Sequence, residues 1–127
     1  NVMGLLHLAR WAAPRMEHAG GGALIVTGNT SAVRGRANFA GFAPTKAAQR
    51  ILAESIARDM GPKGVHVAYL LIDAVIDLAW TRERMKDKPD EFFIPPSAIA
   101  DEAWHIAHQP RAAWSFLTEI RPFAEQW

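Results

Sequence analysis

Two short apolar runs, separated by a long helical segment, constrain the fold of this chain more than any other feature. The runs are Ala23-Leu24-Ile25-Val26 and residues 64–72 (GVHVAYLLI), and both are almost wholly apolar. Such runs are typical of strands buried on both faces of a parallel sheet. Residues 41–60 between them have helical periodicity, so the strands are too far apart for a hairpin. We therefore predict an α/β fold whose parallel sheet is covered by helices on both faces.

The remaining predicted elements follow from periodicity and from helix-ending residues. They are helices over residues 2–18 and 97–108, strands over 23–27 and 113–120, a possible helix over 74–85 and a solvated loop over 86–90. Pro14 predicts a kink or an early end of the first helix, because proline removes a backbone hydrogen bond. Ser97 is the predicted N-cap of the last helix.

Composition excludes several classes of function. The chain of 127 residues is one domain or part of one, and it has a formal net charge of +1 with no basic stripe, which argues against a nucleic-acid partner. It has no cysteine, which excludes disulfides and thiolate metal sites and fits a reducing cytoplasm. No apolar run approaches the roughly 18 residues that cross a bilayer, so no membrane span is expected. A cytoplasmic protein is the prediction.

Polar side chains gather where the first strand ends. Asn29, Thr30 and Ser31 follow this strand, and the next helix carries Phe42 and Lys46 on one face, because they are four residues apart. In a parallel α/β fold this edge is the expected position of a ligand site. A serine-hydrolase site is not expected, because residues 28–32 (GNTSA) lack the second glycine of a nucleophile elbow.

A metal site is also not expected. Glu102 and His105 have Glu-x-x-His spacing, with His108 one turn later, but a bundle metal site needs two such motifs and further carboxylates. Surface or groove-lining histidines are the preferred interpretation. Trp104, Trp114 and Trp127 are predicted to be core or interface aromatics.

The arrangement of Asn1, Phe42 and Lys46 resembles the second half of a short-chain dehydrogenase/reductase. The signature of that family is a Tyr-x-x-x-Lys helix, a serine thirteen residues before the tyrosine and an asparagine on the preceding helix. The resemblance covers nearly the whole chain and implies that residues 1–127 are the C-terminal part of one domain. The implied fold is a partial Rossmann-type doubly wound parallel sheet, a three-layer α/β/α arrangement that lacks the N-terminal half. The direct start in a helical pattern at Asn1 fits a missing beginning.

By this resemblance, Asn1 supports a proton-relay water, and Lys46 binds the nicotinamide ribose and lowers the pKa of the catalytic tyrosine. Phe42 occupies the tyrosine position and has no proton to exchange. The serine position falls on Asn29, which is then a cofactor-side candidate. Thr30 and Ser31, one and two residues later, are the candidates for holding the substrate oxygen.

The resemblance also places residues after the second strand against the cofactor, namely Ile72, Asp73 and Val75. The usual Pro-Gly of the family is replaced there by Ile72-Asp73. Gly20-Gly21-Gly22 precedes a strand instead of following one, so it cannot hold a pyrophosphate at a helix N-terminus.

The implied function is hydride transfer between NAD or NADP and a small carbonyl or alcohol substrate in the full-length parent. The alternative is a degenerate, non-catalytic member that binds NAD(P) or serves oligomerisation. Helices 2–18 and 41–60 are the expected homo-oligomer surface, because the corresponding helices pack against each other between subunits in this family. Strand 23–27 is expected to be left as a sheet edge.

Overall fold

A computed structural model of the protein describes residues 1–125, so Trp127 lies outside the described residues. Helices and strands alternate along the chain in the order α1 (Val2–His18), β1 (Gly22–Asn29), α2 (Ala43–Met60), β2 (Val65–Ile72), β3 (Val75–Ile76), α3 (Ala79–Arg84), β4 (Phe93–Ile94), α4 (Pro96–Ala107) and β5 (Leu117–Ile120). β1, β2 and β5 form a parallel sheet with β2 in the middle, and β3 pairs in parallel with β4. The predicted α/β fold with a parallel sheet is confirmed.

The central strand β2 is buried along its whole length, because helices cover both of its faces. Side chains of alternate residues point to opposite faces of a strand. Val65, Val67, Tyr69 and Leu71 pack in one cluster with Leu5 and Ala9 of α1 and Ala53 of α2. Ala68, Leu70 and Ile72 pack in a second cluster with Ile106 of α4. The three-layer α/β/α arrangement expected from the family resemblance is confirmed.

Backbone geometry explains how the chain turns between these elements. Gly20 and Gly21 have φ values of 89° and 144°, which few residues other than glycine adopt, and they end α1 and lead into β1. Pro44 lies in the first turn of α2, where its missing N–H has no helical partner to lose. Gly20 and Gly21 therefore precede β1, as the sequence indicated, and Gly22 is its first residue.

The predicted bounds of the first helix, 2–18, are confirmed. α1 does not end early at Pro14 but continues to His18, because the neighbouring Ala12 and Ala13 are buried against the rest of the fold and packing offsets the lost hydrogen bond. The predicted start of the last helix is wrong. α4 does not use Ser97 as its N-cap. It begins at Pro96, whose fixed φ suits the first helical position, and Pro95 occupies the cap position.

The segment 74–85 is only partly helical. Its first residues form β3, and the helix α3 is limited to Ala79–Arg84. Thr81 sets this start, since its hydroxyl accepts a hydrogen bond from Leu78 N at 2.9 Å and donates one to Ile76 O at 2.6 Å. The β3–β4 pair was not predicted, because its two residues per strand leave no periodic pattern.

Both outer strands of the main sheet have bounds that differ from the prediction. β1 extends two residues further, to Asn29, because its hydrogen-bonded register with β2 continues to the pair Asn29–Ile72. β5 begins at Leu117 instead of residue 113, since a 3-10 turn occupies Arg111–Ala113. Within residues 1–125, β1 pairs with β2 only, so it lies at the sheet edge as expected.

Two predictions concern apolar residues, namely the membrane span and the tryptophans. Among the described residues, no helix combines the length and the hydropathy that a bilayer span requires. Trp104, predicted as a core or interface aromatic, is 70 % exposed and stacks on His108 at the surface of α4, so it is not part of the core. Trp114 is half-buried and stacks on His66.

Candidate active site

A cavity of about 390 Å³ lies at the carboxyl ends of β1 and β2. These ends coincide, because Asn29 is paired with Ile72 in the parallel register. The cavity is lined by six of the predicted site residues: Asn29, Thr30, Ser31, Ile72, Asp73 and Val75. The structure therefore brings together the predicted substrate-side hydroxyls and most of the predicted cofactor-side residues.

The hydroxyl residues sit on a 3-10 turn, Thr30–Ala32, that directly follows β1. Asn29 holds this turn, because its Oδ1 accepts a hydrogen bond from Ser31 N at 3.1 Å. Capping is therefore done by the amide side chain of Asn29, which leaves the hydroxyls of Thr30 and Ser31 without a hydrogen bond to any other residue of the described chain. Ser31 is buried, and its position at the cavity wall suits a donor to a substrate oxygen.

Lys46 belongs to a second group of polar residues, on α2. Its Nζ lies 3.0 Å from Gln49 Oε1 and 3.5 Å from the carbonyl oxygen of Thr27 in β1. Burial lowers the pKa of Lys46 from its ordinary value of 10.5, because desolvation disfavours the charged ammonium. The last polar residues of β1 and the lysine of α2 thus meet at the same edge of the sheet.

Asn1 is tied to this group through Gln49. Gln49 Nε2 donates to the carbonyl oxygen of Asn1 at 3.3 Å, and Asn1 Nδ2 donates to Thr45 Oγ1 at 2.9 Å. A continuous chain of hydrogen bonds therefore runs from Lys46 through Gln49 to Asn1. Gln49 was not predicted as a site residue, although its spacing three residues after Lys46 places both on one helix face.

Phe42 lies at the N-terminal end of α2 and does not line the 390 Å³ cavity. It is 39 % exposed, and its ring contacts Phe39 edge-to-face with centroids 6.1 Å apart. Phe39 does line the cavity, so the two rings form an apolar wall beside it. Asn1 and Lys46 also lie outside the cavity lining, and Lys46 reaches the sheet edge through Thr27.

No other side chain replaces the missing phenol. Tyr69 is the single tyrosine of the sequence, and it is fully buried in β2 with its ring against Gly28. Burial raises the pKa of Tyr69, and the charge of Arg50 opposes this shift. A hydroxyl enclosed in the core has no path to a substrate in the cavity.

The structure adds three residues that sequence reasoning missed. Arg34, Arg36 and Phe39 line the cavity from the loop between β1 and α2. Arg34 Nη2 lies 3.8 Å from Asp73 Oδ1, and the Asp73 side chain is only 13 % exposed. The two arginines were detectable as charges, but their position depends on the path of the loop, including the left-handed Asn38 at φ 67°.

His108, which follows the Glu-x-x-His motif of α4, packs on Trp104. His108 Nδ1 contacts Trp104 O at 2.8 Å, and the two rings stack with centroids 4.0 Å apart. Within residues 1–125, no three acidic or histidine side chains converge as a metal site requires.

The comparison with known proteins agrees with this geometry. A family profile described as short chain dehydrogenase matches residues 1–85, which include every predicted site residue. The 7alpha-hydroxysteroid dehydrogenase of Escherichia coli strain K12 is 30 % identical over an alignment of 122 residues, and the match covers 90 % of this chain and 48 % of that protein. The chain therefore spans about half the length of this curated relative.

Two solved structures have the same fold. A short-chain dehydrogenase from Rhodopseudomonas palustris is 36 % identical, with a TM-score of 0.73, and the match covers 91 % of this chain and 45 % of that one. An alcohol dehydrogenase from the archaeon Thermococcus sibiricus, solved with 5-hydroxy-NADP, has a TM-score of 0.79 at 19 % identity, covering 98 % of this chain and 52 % of that one. With the profile match over two thirds of its length, the chain belongs to the short-chain dehydrogenase/reductase family.

Proposed function

We propose that the full-length parent of this chain is an NAD- or NADP-dependent oxidoreductase that transfers a hydride between nicotinamide and a small carbonyl or alcohol substrate, and that residues 1–127 alone are inactive. The position of Lys46 carries this proposal. This lysine is half-buried at the carboxyl edge of the sheet, with its Nζ directed at Thr27 O and Gln49 Oε1. An isolated surface lysine would have neither partner.

The residues present fit the nicotinamide and ribose end of the cofactor. An ammonium group has three donors, and Lys46 uses two of them within the described chain, which leaves one for a ribose hydroxyl. Ile72, Asp73 and Val75 line the 390 Å³ cavity. The described residues offer no glycine-rich turn between a strand and a helix for the pyrophosphate, since Gly20 and Gly21 lie between α1 and β1 and Gly22 is the first residue of β1. When bound, the nicotinamide ring supplies the hydride.

The chain's own residues orient the substrate and the cofactor. Ser31 and Thr30 donate hydrogen bonds to the substrate oxygen at the cavity wall. Asn1, which contacts Gln49, supports a proton-relay water. Phe42 has no proton to exchange at the position where the family has tyrosine. A missing proton donor lowers the rate by about 10² to 10⁴-fold, so turnover is expected to be slow.

Restoring the hydroxyl tests this function. Phe42→Tyr places a phenol one helical turn before Lys46, and we expect turnover of the full-length parent with ketone substrates to rise by about two orders of magnitude or more. Lys46→Met in the same background removes the ribose donor and lowers NAD(P)H affinity, measured by fluorescence titration. If Phe42→Tyr leaves turnover unchanged while NAD(P)H still binds, the non-catalytic alternative, which the phenylalanine itself favours, replaces the proposal.

The apolar surface of α1 and α2 supports a homo-oligomer as the assembled form. Leu8 and Trp11 are three residues apart on α1 and are 50 % and 60 % exposed, and Ile51 of α2 is 51 % exposed. Large apolar side chains grouped on two adjacent helices are typical of a protein–protein interface. The chain has no cysteine, and the cytoplasm is its proposed compartment.

A further inference from the structure

A second depression of about 530 Å³ adjoins the cavity along the loop between β1 and α2. Four residues line both spaces: Ser31, Arg34, Arg36 and Phe39. The second space, here called the arginine groove, is bounded on its far side by Arg50 of α2. The arginine groove and the cavity are therefore neighbouring spaces that share Ser31 and two arginines.

The arginine groove is lined by three guanidinium groups and by no carboxylate. The Cζ atom of Arg36 lies 5.8 Å from the ring centroid of Phe39, and Arg36 has no carboxylate partner within residues 1–125. The contacts of Arg50 are long, at 3.3 Å to Ala32 O and 3.7 Å to Glu54 Oε2. Each guanidinium has five donors, so most donors in the groove are unused by the described chain.

The distribution of charge between the two spaces is uneven. The acidic side chains Asp73 and Glu125 line the cavity but not the groove, and Asp73 engages Arg34 at 3.8 Å. A concave surface of one charge sign concentrates its field and attracts a ligand group of the opposite sign. The groove therefore suits an anionic group better than the cavity does.

We propose that the substrate carries an oxyanion, a carboxylate or a phosphate, that binds Arg36 and Arg34 in the arginine groove. Its apolar part lies against Phe39, and its carbonyl or alcohol oxygen lies at Ser31. This inference rests on the proposed function, because it names the substrate class of the same site. Planar guanidinium groups bind carboxylate and phosphate oxygens in pairs, which gives both affinity and orientation.

Matched aryl ketones test the inference. Dissociation constants of 4-acetylbenzoate, its methyl ester and 4-acetylphenyl phosphate are measured calorimetrically on the purified full-length parent with NADPH present. We expect at least one of the two anions to bind about 10- to 100-fold more tightly than the ester, because hydrogen bonds between charged groups are stronger than those between neutral groups. Arg36→Met removes most of this preference, whereas Arg10→Met, an exposed arginine on α1, keeps it.

The outcomes distinguish a failure of the oxyanion inference from a failure of the proposed function. Tighter binding of the carboxylate or of the phosphate identifies which oxyanion the groove takes. Equal binding of the ester and both anions, or a preference that survives Arg36→Met, would overturn the oxyanion inference even if the ester were reduced and the proposed function stood. A preference for an anion without reduction of any ketone, also in the Phe42→Tyr variant, would contradict the proposed function, and the groove would then be an oxyanion-binding site without a substrate role.

Discussion

Replacing Gly28 by alanine would place a methyl group within the ring of Tyr69. A Cβ at Gly28 lies 1.9 Å from the Tyr69 hydroxyl oxygen, 2.2 Å from Cζ and 2.4 Å from Cε1. Non-bonded carbon atoms prefer separations of about 3.5 to 4.0 Å, so the ring or the strand must move by more than 1 Å. Tyr69 is fully buried, so its ring can move only if its neighbours also move.

The expected cost follows from overpacking a rigid core. Extra methyl groups in a well-packed core destabilise by about 1 to 3 kcal/mol, and the depth of this overlap places Gly28→Ala near the upper end. A loss of about 3 kcal/mol corresponds to a fall of roughly 10 °C in the Tm of a domain of this size. Urea and thermal unfolding followed by circular dichroism measure both quantities.

Gly4→Ala is the matched control. A Cβ at Gly4 meets no heavy atom within 4 Å, and alanine in a helix is favoured over glycine by about 0.5 to 1 kcal/mol, so this variant should be more stable. In the Gly28→Ala protein, a further Tyr69→Leu change removes the overlapping ring atoms and should cost less than it does in the wild-type protein. A Gly28→Ala protein within 0.5 kcal/mol of wild type would refute the reasoning.

Two further predictions concern the helix surface and a charged cluster. Trp11→Glu should shift the assembly toward monomer in sedimentation velocity, whereas Trp80→Glu, an equally exposed tryptophan on α3, should not; unchanged sedimentation of both would remove the α1 interface. Arg82 donates to both carboxylate oxygens of Asp77, at 2.6 and 2.8 Å, and this contact lowers the pKa of Asp77. A lowered carboxyl pKa gives stability that is present at neutral pH and is lost as the pH falls below the ordinary value of 3.8. The gap in urea midpoint between wild type and Arg82→Met should therefore be full at pH 7 and smaller at pH 3, and a gap independent of pH would contradict this.

The sequence predicted the sheet and the convergence of site residues, because both follow from local patterns. The apolar runs that became β1 and β2 have few other structures available, and parallel strands necessarily end at one edge. Asn29 could therefore be placed at this edge from its position alone, whereas Asp73 was placed there by the family resemblance.

The features that were missed depend on contacts between distant residues. The amide of Gln49 resembles any helical surface residue until the Asn1 carbonyl, 48 positions away, is placed beside it. In the sequence, Arg36 resembles any charged residue of a loop. It lines the cavity only because of the path of the loop, which also places its guanidinium over the ring of Phe39. The start of α4 was misplaced for a different reason, because Ser97 and Pro96 each give a valid helix-start signal and only the proline geometry is used.

The hydrogen bonds of Gln49 link the position of the Lys46 ammonium to the relative position of two helices. Gln49 gives its amide hydrogen to Asn1 at the start of α1 and offers its oxygen to Lys46 on α2. Sliding α1 by about one ångström would lengthen the 3.3 Å contact and free Gln49 to rotate away from the ammonium. Lys46 would then lose one of its two hydrogen-bond partners within the described residues. A displacement of α1 would therefore change the surroundings of the Lys46 ammonium on the neighbouring helix.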